Sequence, residues 1–344
     1  MKKIFFSIVA LAALAACSKS EVAYEAPKEI GFTPVKGNVT KATGLSGELA
    51  TTQNLGVWAY WDKTVEVDDD GNVTELAYNN YTDNYLVNAL FQNKTVNSVS
   101  AWGGAGNGYP WPVNGALVFA GYTTPTDAVI AIDDNNAETT GAEVSYTLTD
   151  DKMIFTNYSN DDEFDLCWFG RTEDAYNYRA NGTSIPVKLN HALTWVTIAA
   201  YGQNSAIGWE ITSMTLNNYN VAGTATCNGS TKKATWYPVT KNGSPLTIGN
   251  TDKIPHTLAA ADSGKGVVLS DNVLIPSDDV ELTVNFSFDV NGVTKNDSKT
   301  FVLNADPWES GVHYTYTLVF NSTEILLAPK YEEWTTSDKT VTVE

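Results

Sequence analysis

Along "VELTVNFSFDV" apolar and polar positions alternate strictly: Leu282, Val284, Phe286, Phe288 and Val290 fall on one face, and Glu281, Thr283, Asn285, Ser287 and Asp289 on the other. A period of two over this length predicts a half-buried antiparallel strand. "VHYTYTLVF" follows the same rule, with Tyr314, Tyr316, Leu318 and Phe320 aligned. "NLGVWAYW", "GALVFAGY", "HALTWVTIAAY" and "ITSMTLNN" are more continuously apolar and read as strands covered on both sides. Turn-forming stretches separate them, among them Asp68 to Asn72 ("DDDGN") and the Asn291-Gly292 pair. One stretch points the other way. In "YTDNYLVNALFQ", Tyr85, Leu86 and Leu90 stand at helical spacing, which predicts a helix.

Many short strands joined by turns predict an all-β protein of β-sandwich type. The length of 344 residues and a 43% hydrophobic content supply two cores of ordinary size. The polar interval Gly170 to Ser184 breaks the apolar pattern near the middle and sets the expected boundary, with an N-terminal domain at 44–178 and a C-terminal domain at 179–344. No short tandem repeat suggests a solenoid or propeller.

The N-terminus is of another kind. Lys2 and Lys3 precede an apolar run from Ile4 to Ala16, too short at about 13 residues to cross a bilayer core, which needs about 20. The run ends in Leu14-Ala15-Ala16-Cys17. This is the pattern of a lipoprotein signal, with residues 1–16 removed after Ala16 and Cys17 lipidated as the new first residue. Residues 17–43 then form a lipidated segment that carries one strand-like stretch, "EIGFTPVKGNVTKAT".

Charge narrows the partners. The net charge is −19, and the only arginines are Arg171 and Arg179. Without a basic patch such a chain repels a phosphate backbone, so no nucleic-acid partner is expected. Candidate chemistry is equally sparse. The three histidines, His191, His256 and His313, sit beside strands or in a loop without a nucleophile motif, and each is read as structural. The acidic run around Asp68, Asp70 and Gly71 lacks the closing carboxylate of a calcium loop, because Ala77 stands at the twelfth position, and it reads as a hairpin turn. No enzyme, cofactor or metal is expected. Cys167 and Cys227 have no second ligand at a useful spacing, and they either pair or remain buried as small hydrophobes. The glycine-rich aromatic stretch "WGGAGNGYPWP" offers Trp102, Tyr109 and Trp111 as a possible stacking platform for glycans.

Several stretches taken in order resemble the fimbrillins, the type V pilin subunits of Bacteroidia. They are "IGF" followed by Thr40-Lys41-Ala42, "LGVWAY", "YPWPVNGALVFAGY", "IPVKLNHALTWVTI", "VLIPS", and "WESGVHYTYTLVF" leading to "EEW". The resemblance implies two transthyretin-like antiparallel β-sandwich domains in tandem. It implies a non-enzymatic subunit that reaches the cell surface as an outer-membrane lipoprotein and polymerises with other fimbrial subunits. By that resemblance a removable first strand contains Ile30, Phe32, Val35 and Val39, proteolysis falls between Lys41 and Ala42, and a donor strand near the C-terminus contains Val341 and Val343. The sequence departs from the family at one point: no arginine precedes Arg171, so an arginine-specific protease has no site at Lys41. The alternative to a fimbrial role is a monomeric surface lipoprotein that binds glycans through Trp102, Tyr109 and Trp111.

Overall fold

The computed structural model describes residues 28–34, 53–64, 80–96, 99–104, 108–112, 114–124, 128–134, 141–160, 164–172, 184–203, 207–249, 253–258, 266–290, 292–304, 306–321 and 325–333. Among these residues the regular structure is entirely β. The first strands are β1 (Gly31–Pro34), β2 (Asn54–Asp62), β3 (Asp83–Val96), β4 (Val99–Gly104) and β5 (Ala116–Thr124). They are followed by β6 (Ala131–Ile132), β7 (Glu143–Thr147), β8 (Lys152–Ser159) and β9 (Cys167–Phe169). Beyond the polar interval come β10 (Ile185–Val187), β11 (Asn190–His191), β12 (Thr194–Gly202), β13 (Trp209–Asn217), β14 (Asn220–Asn228) and β15 (Lys233–Lys241). The chain then forms β16 (Leu246–Ile248), β17 (His256–Thr257), β18 (Val267–Leu274), β19 (Glu281–Val290), β20 (Val293–Val302), β21 (Val312–Phe320) and β22 (Ile325–Glu333).

Two sandwiches result. The first sets an eight-stranded sheet, in the order β10-β1-β4-β3-β2-β5-β9-β11, against a five-stranded sheet, β15-β14-β8-β7-β6. Trp58, Val118, Ala120 and Tyr122 from the larger sheet meet Val144, Phe155, Ala225 and Cys227 from the smaller. The larger sheet also curls around a second core: Phe32 of β1 lies 5.3 Å from Phe119 of β5, centroid to centroid, although three strands intervene between them. Strands β2 and β5 are therefore covered on both faces, Val57 and Phe119 lying in one core and Trp58 and Val118 in the other. This double cover explains why they read as continuous apolar runs although every neighbour is antiparallel. The second sandwich packs β18-β12-β21-β22 on β16-β13-β19-β20, with Ile198, Ile211, Leu282, Val284, Phe286, Leu318 and Phe320 in its core.

One sequence expectation changes, and one feature of the pairing lies outside what the sequence pattern predicts. The stretch predicted as a helix is β3. Asn88 takes a positive φ of 46°, and opposite it the register slips, so that Val57 pairs with Ala89 while Ala59 pairs with Leu86. A bulge puts one extra residue into one strand. It moves the inward set from Leu86 to Ala89 and Phe91, and that offset imitates helical spacing. The Asn88 side chain holds the bulge by donating to Ile130 O at 2.7 Å and accepting from the Tyr122 hydroxyl at 3.0 Å. The second finding concerns pairing across the polar interval. Strands β10, β11 and the β14–β15 hairpin, all beyond residue 179, pair with β1, β9 and β8, which precede it.

Candidate functional site

Strand β1 is four residues long and sits between two others, antiparallel to β4 with Phe32 opposite Trp102, and parallel to β10 with Phe32 opposite Ile185. Just before it the chain is held on the 109–111 segment: the Ile30 amide donates to Tyr109 O at 2.7 Å, and the Trp111 amide donates to Lys28 O at 2.9 Å. Gly108 makes this approach possible. Its φ is +77°, and a Cβ there would stand 2.4 Å from the carboxyl carbon of Glu29.

Alternation through β1 and the residue before it sends Ile30 and Phe32 inward, at 1% and 0% exposure. Phe32 fills an aromatic pocket, with ring centroids 5.0 Å from Phe91, 5.3 Å from Phe119 and 6.0 Å from Phe169. Edge-to-face contacts with Phe91 and Phe119 are the favoured geometry for such pairs. Ile185 and Val187 of β10, Trp102 of β4 and Trp111 close the walls. Taking β1 away would open a slot between β4 and β10 with two apolar pockets at its base, and would leave backbone groups of both strands without partners.

The structure brings together Ile30 and Phe32 of the expected first strand. Val35, Val39, Lys41, Ala42, Ala16, Cys17, Val341 and Val343 lie outside the described residues. The expected glycan platform is corrected. Trp102 is 1% exposed, its indole donating to Gln53 O at 2.7 Å, and Trp111 is 7% exposed and meets Phe119 edge to face. Tyr109 packs on Phe91 with centroids 4.8 Å apart. The Trp102 and Trp111 indoles are thus spent on the wall of the slot, and Tyr109 is half-buried beside them. The pocket residues Phe91, Phe119, Phe169 and Ile185 were not singled out from sequence; the inward phase of the covered strands is the signal that carries them.

A second group lies where β9 meets β11. Register places His191 opposite Cys167, and Asp165 stands two residues before the cysteine. His191 Nδ1 and Asp165 Oδ2 are 2.8 Å apart, Cys167 Sγ is 3.3 Å from the same oxygen, and Sγ and Nδ1 are 3.4 Å apart. Burial, and then the adjacent Asp165 carboxylate, push the Cys167 thiol well above its usual range. Sequence spacing offers neither cysteine a second ligand, and it is the β9–β11 pairing that sets His191 beside Cys167. Both described cysteines are free and buried, Cys227 lying in the other core of the first sandwich. The group is not a nucleophile relay. That needs the thiol at one ring nitrogen and the acid at the other, whereas here both face Nδ1.

A family model described as fimbrillin-like matches residues 40–334. A second, described as a prokaryotic membrane lipoprotein lipid attachment site, matches residues 1–18. No curated protein sequence matches the chain. Among solved structures, a fimbrial protein from Bacteroides vulgatus superposes with a TM-score of 0.55 at 15% identity, covering 89% of this chain and 99% of that one. That likeness shows a shared fold. A fimbrial assembly protein from Parabacteroides distasonis (TM-score 0.37, 13% identity) is covered over 96% of its length by 89% of this chain. The fimbrial anchor protein Mfa2 from Porphyromonas gingivalis (TM-score 0.31, 13% identity) is covered over 99% by 90% of this chain.

Proposed function

Because the chain belongs to the fimbrillin-like family and carries a lipid-attachment site, we propose that it is a structural subunit of an adhesive cell-surface fimbrium, exported as an outer-membrane lipoprotein and polymerised by protease-triggered strand exchange with other fimbrial subunits. The observation that carries this reading is β1. A strand of four residues is inserted between β4 and β10, and the side chains of its Phe32 and of Ile30 just before it are wholly buried. Burying each such side chain is worth about 1.5–3 kcal/mol. The slot is therefore too apolar to stay open in water, and a replacement strand must present apolar groups at the same alternate positions. Backbone pairing to the edges of β4 and β10 would supply affinity and the two pockets specificity, which is β-augmentation.

Cleavage between Lys41 and Ala42 separates β1 from everything that follows, since the cut lies beyond Pro34 and before β2. The donor is the C-terminal "KTVTVE" of a neighbouring subunit, with Val341 and Val343 sharing one face. Lys41 requires a protease that accepts lysine.

The test compares the intact chain with one that begins at Ala42. By size-exclusion chromatography with light scattering, the intact form runs as a monomer and the trimmed form as a ladder of oligomers. Removing the last ten or so residues from the trimmed form abolishes the ladder. A trimmed chain that stays monomeric at high concentration, together with fimbriae that form without either terminus, sinks the proposal.

A further inference from the structure

The structure assigns a divalent metal site to Asp165, Cys167 and His191, and the chemistry of the three donors selects Zn²⁺. The donor atoms form a closed triangle with edges of 2.8, 3.3 and 3.4 Å. Zinc bonds of about 2.3 Å to sulfur and about 2.0–2.2 Å to nitrogen and oxygen put tetrahedral ligand edges at about 3.3–3.6 Å. Both edges to sulfur already lie near this range, and the nitrogen–oxygen edge reaches it by opening roughly 0.5 Å.

A thiolate, an imidazole and a carboxylate together suit borderline-soft zinc, whereas magnesium and calcium require oxygen alone. A fourth donor is in place. Asp165 Oδ1 is buried and makes no hydrogen bond in the structure, so the carboxylate can turn to bind through both oxygens and leave no polar atom of its own unsatisfied. The backbone around the site is fixed: the Cys167 amide donates to Thr123 Oγ1 at 2.9 Å, and β9 and β11 are held in register opposite each other. His191 also lines a cleft of about 970 Å³ with Lys188, Asn304 and Tyr314.

Binding breaks the S–H bond of Cys167, sends that proton to solvent and forms a zinc–sulfur bond. The proton shared between His191 Nδ1 and Asp165 shifts to Nε2, which frees the Nδ1 lone pair for the metal. No electron is transferred.

The experiment strips the purified full chain with a chelator and reloads it separately with Zn²⁺ and Co²⁺. Expected are about one zinc per chain retained through gel filtration, a rise in the unfolding midpoint on loading, and a thiolate-to-cobalt charge-transfer band. Cys167→Ser and His191→Gln each lower retained zinc by about tenfold or more, and Cys167→Ser removes the band. Cys227→Ser and Cys17→Ser keep both. Equal zinc in the Cys167→Ser chain overturns the assignment. So does a cobalt-loaded wild-type chain without the charge-transfer band, a result that needs no variant to fold.

Discussion

His313 lies face to face on Trp195, ring centroids 3.7 Å apart and 7° from parallel. Thr197 donates its hydroxyl proton to Asp271, so its lone pair accepts from His313 Nε2–H at 2.8 Å. That leaves Nδ1 facing Glu332 at 3.5 Å. Burial lowers the His313 pKa, against the opposing pull of Glu332 and Asp271 and with a smaller contribution from Lys330. The sign follows from linkage: between the depressed folded value and the unfolded value of about 6.5, the unfolded chain binds more protons. Stability from this group is complete above about pH 6.5 and is lost as pH falls through that value toward the folded pKa. Unfolding midpoints measured from pH 7.5 to 5 will therefore fall more steeply for the wild-type chain than for His313→Gln, which keeps a donor for Thr197. Parallel curves would show that His313 does not titrate differently on folding. The sequence places His313 at the start of an amphipathic strand, but not its environment. Trp195 and Thr197 come from β12, more than a hundred residues earlier, and reach it through the parallel β12–β21 register. The Asp165–Cys167–His191 triangle is hidden for the same reason: Asp165 and Cys167 stand two apart, and only the β9–β11 pairing brings His191 opposite.

Strands show the same division between what local pattern fixes and what packing decides. β19 was legible because one face is core, with Leu282 and Val284 fully buried, and the other is not. Its partner β20 gave no alternation, because as the edge strand of its sheet it is exposed at nearly every position. β3 carries the spacing of a helix because its bulge changes the inward phase partway along. The composition of β20 has its own logic. Lys295, Asp297 and Lys299 are spaced by two along an unpaired edge, where charge discourages another strand from docking. Lys299 also donates to Ile325 O at 2.6 Å, so Lys295 and Asp297 are the cleaner positions to test. Replacing both with valine leaves the core untouched and is expected to change stability by less than about 0.5 kcal/mol, while raising self-association. Sedimentation velocity over a concentration series will show a dimer or larger species that the parent lacks. Unchanged monomer would mean that the twist of the edge, and not its charge, keeps neighbours away.

The two sandwiches are not two beads on a string. The β14–β15 hairpin leaves the second sandwich after β13, extends the smaller sheet of the first by pairing with β8, and returns to the second at β16. It brings Ala225, Cys227 and Ala234 into the first core, and Val273 and Ile275 at the end of β18 join them. Asn160 Nδ2 donates to Val273 O at 2.9 Å, so a part-buried polar group also bridges the halves. Polar composition marked a break near residue 178, but composition carries no information about which later strand returns across it. A cut there would strip β1 of β10, β9 of β11 and β8 of β14, and would open the first core along its whole hairpin side. We therefore predict that residues 1–178 expressed alone lack a cooperative thermal transition and exchange their amides rapidly, whereas the full chain protects both cores. The two fragments mixed should recover protection in β8, because the hairpin is the piece missing from that edge. A sigmoidal melt and protected β8 amides in the isolated fragment would show instead that the first sandwich closes without the hairpin, and that the crossing strands add only to an already stable domain.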